Sequence, residues 1–244
     1  MSRPVLKGLV TGAAQGIGEA VARHLVASTG ASVALADIQL DRVTRVAETL
    51  GKKAYFVDIA SAEAVHAAVS TVAEDLGGID FLVNVAGIDA QFVAPASIDD
   101  EHWHRMIDVN LTGTWNMTKA CLPLMIGQGA GRIINISSIC GVVPTPGVSA
   151  AYAAAKAGII GLTMSLATEL EGNGILVNAI APGATGSTGH PMTDEQAQHY
   201  QDAQALGFGG PEPIARAVAY LLGEGGDWMS GTVLNVSGGF WRGR

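Results

Sequence analysis

The chain has 244 residues, of which 48% are hydrophobic, 5% aromatic and 15% charged, and it contains 32 glycines. This length suffices for one large α/β domain with a substantial core, so we expect a single domain over residues 1–244. The formal net charge is −8 and no cluster of lysine or arginine stands out, which argues against a nucleic-acid partner.

Cysteine and histidine spacing gives no sign of a disulfide framework or a metal centre. Cys121 and Cys140 are far apart, and the closest histidine pair, His102 and His104, would point to different sides of a helix.

No apolar run approaches the ~18 residues of a membrane span, and strand-like sequence begins at Val5, which leaves no room for a signal peptide. We therefore expect a cytoplasmic protein without membrane association.

Apolar, β-rich segments alternate with helical segments along the chain. The predicted strands cover 5–11, 32–37, 54–57, 81–84, 132–137, 176–180 and 232–236, and the predicted helices cover 16–28, 41–50, 62–76, 99–126, 150–171 and 211–223. This alternation predicts an α/β fold with a doubly wound parallel sheet, helices on both faces and strand order 3-2-1-4-5-6-7. The irregular segment 183–210 follows the sixth strand and is predicted to be a substrate lid.

A glycine-rich turn follows the first strand. Gly12, Gly16 and Gly18, with Gln15 and Ile17 between them, allow the backbone to approach a pyrophosphate at the N-terminus of the next helix. On its own, such a turn could equally be a tight connection.

Asp37 ends the second strand, where a carboxylate can accept hydrogen bonds from the adenosine ribose and repel a 2′-phosphate. No arginine stands at position 15, 37 or 38 (the last is Ile38), so NAD(H) is favoured over NADP(H). An ordinary strand-end carboxylate is the alternative for Asp37. Asp58 and Ile59 follow the third strand and could hold the adenine edge, although a helix cap explains Asp58 nearly as well.

Tyr152 and Lys156 are four residues apart in a predicted helix and therefore share one face. A neighbouring cation stabilises phenolate, so we expect Lys156 to lower the pKa of Tyr152 and make the phenol a proton donor and acceptor. Together with the glycine turn, the pair indicates proton transfer at an alcohol or ketone beside a bound nucleotide.

The motifs occur in a characteristic order: Thr11-Gly12-x3-Gly16-Ile17-Gly18, Asn84-Val85-Ala86-Gly87, Asn110, Ser138, Tyr152-x3-Lys156, Pro182-Gly183 and Asn235-Val-Ser-Gly-Gly239. This series resembles that of the short-chain dehydrogenase/reductase family over nearly the whole chain. The resemblance implies a Rossmann-type fold, a nicotinamide cofactor and a homo-oligomer, either dimer or tetramer.

The resemblance also assigns roles. Tyr152 would exchange a proton with the substrate oxygen, and Lys156 would lower its pKa and hold the nicotinamide ribose. Ser138 would orient the substrate oxygen, with Ser137 as the rival because adjacent strand residues face opposite ways. Asn110 would hold a water linking Lys156 to solvent. The remaining assignments are Asn84, Ala86 and Gly87 on the ribose side of the cofactor, and Pro182, Gly183 and Thr185 in the nicotinamide pocket.

We therefore expect an NAD(H)-dependent oxidoreductase that interconverts a small-molecule secondary alcohol and a ketone through a Ser/Tyr/Lys/Asn site, without a metal. The alternative enzyme is a 3-oxoacyl-thioester (acyl-carrier-protein) reductase, whose relatives resemble this chain in length and lid size. The alternative from another class is a catalytically silent NAD-binding protein.

Overall fold

Seven parallel strands form the central sheet of the computed structural model, which describes residues 5–89, 93–145, 147–186 and 193–243. The strands are β1 Lys7–Thr11, β2 Ser32–Asp37, β3 Ala54–Phe56, β4 Phe81–Asn84, β5 Gly131–Ile136, β6 Ile175–Pro182 and β7 Val233–Val236. Their order, β3-β2-β1-β4-β5-β6-β7, confirms the predicted doubly wound sheet.

Helices cover both faces of the sheet. The α-helices are α1 Gly16–Thr29, α2 Leu40–Leu50, α3 Ala62–Leu76, α4 Asp100–Ile107, α5 Gly113–Gln128, α6 Ala150–Leu170, α7 Asp194–Ala203 and α8 Glu212–Leu222. The two layers follow from the alternation of side chains along each buried strand. Val10 of β1 packs into one hydrophobic cluster with α1, α2 and α8, whereas its neighbour Leu9 packs into the other with α3 and α5.

The predicted continuous helix over 99–126 is wrong in one respect. A π-helical turn, Asp108–Thr112, separates α4 from α5, and α5 continues to Gln128 through Pro123. The π-helical turn contains Asn110, which is fully buried. Such turns are frequent at functional sites because they change the direction in which a side chain points.

One helical stretch among the described residues resembles a membrane span in length and composition. The helical stretch Ala150–Asn173 is long and apolar enough to cross a membrane by length and composition. However, it forms one of the layers on the sheet: buried Lys156 donates to the carbonyl of Ile136, and buried Asn135 donates to Thr163. Buried hydrogen bonds therefore attach α6 to β5 within the fold.

The lid segment is more regular than expected. Within 183–210 the structure contains α7, and residues 187–192 of the predicted lid lie outside the described residues. Gln204, at the end of α7, is buried and joins this helix to the end of β6: it accepts from the amide of Ala184 at 2.7 Å and donates to the carbonyls of Ala184 and Gly207.

Candidate active site

The glycine turn after β1 requires glycine at defined positions. Gly12 and Gly16 have φ of 67° and 57°, a region that other L-residues rarely adopt. Gly18 has an ordinary φ, but a Cβ there would lie 2.1 Å from the carbonyl oxygen of Gly12. The turn and the first turn of α1 are thus in backbone contact, with Gln15 as the N-terminal cap residue and Ile17 in the first turn.

Asp37 faces the glycine turn. Its carboxylate oxygens accept from the amide of Ala14 at 3.0 Å and the amide of Gln39 at 2.9 Å, and the side chain is buried. A carboxylate offers about four acceptor positions, so capacity for ribose hydroxyls remains. Its neighbour Ile38 is exposed.

Asp58 does not cap α3. Its Oδ1 accepts from the amide of Ala60 at 3.0 Å, whereas Ser61 is the N-cap residue and accepts from the amide of Ala64. Ile59 is buried, and its side chain would lie 2.7 Å from a Cβ on Gly113. The helix-cap alternative for Asp58 is therefore excluded, and its contact with adenine stays a prediction.

The end of β4 is fixed to its neighbours by buried polar groups. Thr11 Oγ1 accepts from the amides of Val85 and Ala86 at 3.0 and 3.1 Å. The Asn84 amide donates to Thr118 and to Asn135 on adjacent β5. The backbone at positions 85–86 thus lies directly beside the glycine turn, where a Cβ on Gly12 would meet Ala86 at 2.8 Å.

Ser137 and Ser138 face different partners. Ser137 Oγ donates to the carbonyl of Lys156 at 2.7 Å, which fixes the start of the loop after β5 onto α6. Ser138 Oγ accepts from the amide of Cys140 at 3.2 Å and is hydrogen-bonded to the side chain of Tyr152. The structure thus brings Ser138, and not Ser137, to the phenol.

Tyr152 and Lys156 share one face of α6, with Lys156 Nζ 5.5 Å from the centroid of the phenol ring. The prediction that the pKa of Tyr152 is lowered is wrong: in this structure the side chains around the phenol leave its pKa above the usual value. Burial raises the pKa of Tyr152 above its usual value, and Cys140 and Asp89 raise it further, against the opposing hydrogen bond from Ser138. Burial also lowers the pKa of Lys156 to about 8, which weakens it as a cation.

Asn110 lies close to Lys156 and to the end of β4. Its Nδ2 donates to the carbonyl of Met106 at 3.1 Å, and its Oδ1 accepts from the amide of Ile88 at 3.2 Å. Gly87 separates Asn110 from Lys156: a Cβ there would lie 2.5 Å from Asn110 Oδ1 and 3.6 Å from Lys156 Nζ. The structure therefore brings together Asn110, Lys156 and the end of β4, and the water-holding role of Asn110 stays a prediction.

The end of β6 carries the other predicted contacts. The amide of Gly183, which follows Pro182, donates to the carbonyl of Val236 at 3.1 Å. A Cβ on Gly183 would lie 2.5 Å from Gln204 Oε1. Thr185 is buried, and among the described residues its Oγ1 has no hydrogen-bond partner. An unpartnered buried hydroxyl at this place fits a polar group of a bound ligand.

Sequence reasoning missed three residues here. Asp89 and Cys140 act electrostatically on Tyr152, Lys156 and Tyr200, and the last of these belongs to α7. Asp89 lies just beyond Gly87, so its position after a recognised motif was the available signal. No signal pointed to Gln204, because its contacts depend on how α7 folds back.

Among the described residues, no group of three or more His, Cys, Asp or Glu could hold a metal ion.

The site fits a dinucleotide cofactor along one edge of the sheet. The glycine turn exposes the N-terminus of α1 to a pyrophosphate, Asp37 offers carboxylate oxygens to a ribose, and Thr185 offers an unpartnered hydroxyl at the opposite end. Ser138, Tyr152 and Lys156 lie between these ends on the carboxyl side of β5.

Comparison with known proteins agrees with this arrangement. A family model described as enoyl-(acyl carrier protein) reductase matches residues 12–241. The 3-oxoacyl-(acyl-carrier-protein) reductase FabG of Aquifex aeolicus is 40% identical over 242 residues, covering 95% of each chain. Cis-4-hydroxycyclohexanecarboxylate dehydrogenase of Sinomonas cyclohexanicum is 36% identical over 239 residues, also covering 95% of each.

A solved structure, a variant of actinorhodin polyketide ketoreductase with NADPH, has a TM-score of 0.91 at 30% identity and covers 98% of both chains. The present chain therefore belongs to the short-chain dehydrogenase/reductase family and is an oxidoreductase with a Rossmann-type fold. Members of this family bind a nicotinamide cofactor.

Proposed function

We propose that the protein interconverts a 3-hydroxyacyl thioester and a 3-oxoacyl thioester with NAD(H). The observation that carries the chemistry is the contact of Tyr152 with two neighbours: Ser138 is hydrogen-bonded to its phenol, and Lys156 Nζ lies 5.5 Å from the centroid of its ring. The substrate class is supported by the relative from Aquifex aeolicus, whose name specifies a 3-oxoacyl-(acyl-carrier-protein) reductase.

Apart from the hydride, which belongs to the nicotinamide, the proposed mechanism uses the side chains of Ser138, Tyr152 and Lys156. The nicotinamide, when bound, supplies or accepts the hydride at the substrate carbon. In the reducing direction, Tyr152 donates its proton to the carbonyl oxygen, which becomes the hydroxyl of the product. The phenol is protonated at neutral pH, as an ordinary tyrosine is, and because burial raises its pKa, transfer of this proton depends on stabilisation of the phenolate by its neighbours.

The neighbours of Tyr152 orient the reacting oxygen and stabilise the phenolate that remains after proton transfer. Ser138 donates a hydrogen bond to the substrate oxygen and stabilises the negative charge that develops there. Lys156 Nζ lies 5.5 Å from the centroid of the Tyr152 ring and donates to the carbonyl of Ile136 on β5. Asn110 holds the backbone after β4 by accepting from the amide of Ile88. Protonated Lys156 favours phenolate over phenol.

The preference for NAD(H) rests on Asp37, whose buried carboxylate would oppose a 2′-phosphate. A second candidate substrate class is a simple secondary alcohol or its ketone. It is favoured by the relative from Sinomonas cyclohexanicum, whose name specifies a cyclic hydroxy acid. A cytoplasmic location and assembly into a homodimer or homotetramer belong to the same proposal.

The substrate class is tested by comparing kcat/KM for acetoacetyl-CoA and for cyclohexanone, with NADH at saturation. The proposal predicts a value at least tenfold higher for acetoacetyl-CoA. A preference for cyclohexanone would support the second candidate. Failure to reduce any ketone, despite NADH binding, would support a silent NAD-binding protein.

A further inference from the structure

The backbone that follows β6 is held by one buried side chain. Gln204, directly after α7, is 2% exposed. Its Oε1 accepts from the amide of Ala184 at 2.7 Å, and its Nε2 donates to the carbonyl of the same residue at 3.0 Å. Two facing residues of an antiparallel strand pair exchange the same two bonds. The side chain of Gln204 therefore takes the place of a neighbouring strand at a point beyond the end of β6.

Gln204 is itself fixed by the segment around it. Its backbone amide donates to the carbonyl of Tyr200 on α7 at 2.9 Å, and its Nε2 also donates to the carbonyl of Gly207 at 3.1 Å. The approach of the side chain requires glycine at position 183, because a Cβ on Gly183 would lie 2.5 Å from Gln204 Oε1. Ala184 therefore cannot move without breaking a buried hydrogen bond.

The next residue, Thr185, carries a buried hydroxyl without a partner. Its backbone carbonyl accepts from the amide of Gly210 at 3.0 Å, so the chain is held at Thr185 as well as at Ala184. Thr185 is 7% exposed, and within the described ranges its Oγ1 has no hydrogen-bond partner. Buried hydroxyls are normally hydrogen-bonded, and the described residues supply no partner for this one.

The place of Thr185 in the sheet indicates which ligand group supplies that partner. Because β6 lies beside β5, Thr185 and Ser138 follow parallel strands at the same edge of the sheet. A dinucleotide with its pyrophosphate at the glycine turn after β1 and its adenosine at Asp37 on β2 extends its other half past β4 toward β5 and β6. That half is the nicotinamide, whose amide group offers a donor and an acceptor to a hydroxyl.

We propose that Gln204 is a positioning residue, which holds the backbone at Ala184 so that the hydroxyl of Thr185 is hydrogen-bonded to the amide group of the nicotinamide. Gln204 touches neither cofactor nor substrate in this role and acts through Thr185. The adenosine half of the cofactor is unaffected, because the contacts of Asp37 and of the glycine turn do not include this segment. This inference rests on the nicotinamide cofactor of the proposed function, although not on its substrate.

The test compares the dissociation constants of NADH and of ADP-ribose, which lacks the nicotinamide ring, by isothermal titration calorimetry. We expect Gln204→Ala to weaken NADH binding about tenfold and ADP-ribose binding less than about twofold. Thr185→Val removes the hydroxyl, keeps the branched shape and should give the same selective loss. Gln198→Ala is the matched control: Gln198 is an exposed glutamine of α7 that donates to Asp202, and its replacement should change neither constant.

A double-mutant cycle tests whether Gln204 acts through Thr185. Because both substitutions remove the same contact with the nicotinamide, the double variant should bind NADH less than about twofold more weakly than the weaker single variant. Losses that multiply would overturn the inference. Equal weakening of NADH and ADP-ribose by Gln204→Ala would also overturn it, because Gln204 would then support the fold as a whole.

Two further comparisons keep the test decisive. Should Gln204→Ala fail to fold, Gln204→Glu decides, because it keeps an acceptor for the amide of Ala184 and loses both donors; we expect a selective loss of NADH affinity, and an equal loss for both ligands, or none, would overturn the inference. If NADPH binds more tightly than NADH, NADPH and 2′-phospho-ADP-ribose are the probe pair. A selective loss in the variants, with no reduction of acetoacetyl-CoA by the wild type, would refute only the proposed function.

Discussion

Lys156 is expected to destabilise the folded protein in the absence of bound nucleotide. It is 5% exposed, and burial lowers its pKa from 10.5 to about 8. Each factor of ten in a proton affinity corresponds to about 1.4 kcal/mol, so holding this ammonium in the folded state costs about 3 kcal/mol at pH 7. Replacement by methionine keeps the aliphatic stem and removes the charge.

The variant also loses one hydrogen bond, from Lys156 Nζ to the carbonyl of Ile136 at 3.1 Å. A hydrogen bond of this kind contributes about 1 kcal/mol to the free energy of unfolding. We therefore expect Lys156→Met to raise the free energy of unfolding at pH 7 by about 2 kcal/mol, while abolishing activity. Urea denaturation at a fixed protein concentration measures this difference.

The pH dependence gives an independent check. Because the folded protein binds this proton less readily than the unfolded chain, the wild-type stability should rise with pH between about 8 and 10.5. Between pH 7 and pH 9.5 the advantage of Lys156→Met should shrink by about 2 kcal/mol. Lys119→Met, at an exposed position of α5, is the control and should show no such dependence. A Lys156→Met variant that is less stable than wild type at pH 7, with no convergence at high pH, would refute the reasoning.

Three further predictions concern the turn, the serine and the lid. Gly18→Ala places a methyl group 2.1 Å from the backbone oxygen of Gly12 and should weaken NADH binding at least 30-fold by fluorescence titration. Ser138→Ala should lower kcat about 100-fold, whereas Ser137→Ala should lower it less than fivefold. Gln204→Ala leaves the amide of Ala184 without its acceptor and should lower the free energy of unfolding by about 2 kcal/mol in urea.

Each of these three predictions has its own control or its own contradicting result. Gly161 is an exposed glycine of α6 at which a Cβ meets nothing within 4 Å, so Gly161→Ala is the control for the turn. Equal losses of kcat for the two serine variants would contradict the assignment of Ser138. An unchanged stability of the Gln204 variant would show that water replaces the side chain at the end of β6.

Much of the fold could be predicted because its signals are local. The strand order follows from regular alternation of strands and helices together with the right-handed crossover rule. The glycine turn could be located because two of its positions require positive φ. The shared face of Tyr152 and Lys156 follows from helical periodicity alone.

The features that could not be predicted from the sequence have physical causes. Hydrophobic periodicity changes little across one π-helical turn, so the boundary between α4 and α5 at Asn110 was invisible. The pKa of Tyr152 depends on how deeply the phenol and Lys156 are buried, which sequence spacing does not reveal.

The most direct test of the account is single-turnover oxidation of NADH, followed at 340 nm, on mixing the protein with acetoacetyl-CoA. We predict rapid loss of absorbance in the wild type and a rate at least 1,000-fold slower in Tyr152→Phe, with NADH affinity unchanged within threefold. Equal rates in the two proteins would contradict the role of Tyr152 as the proton donor and, with it, the proposed mechanism.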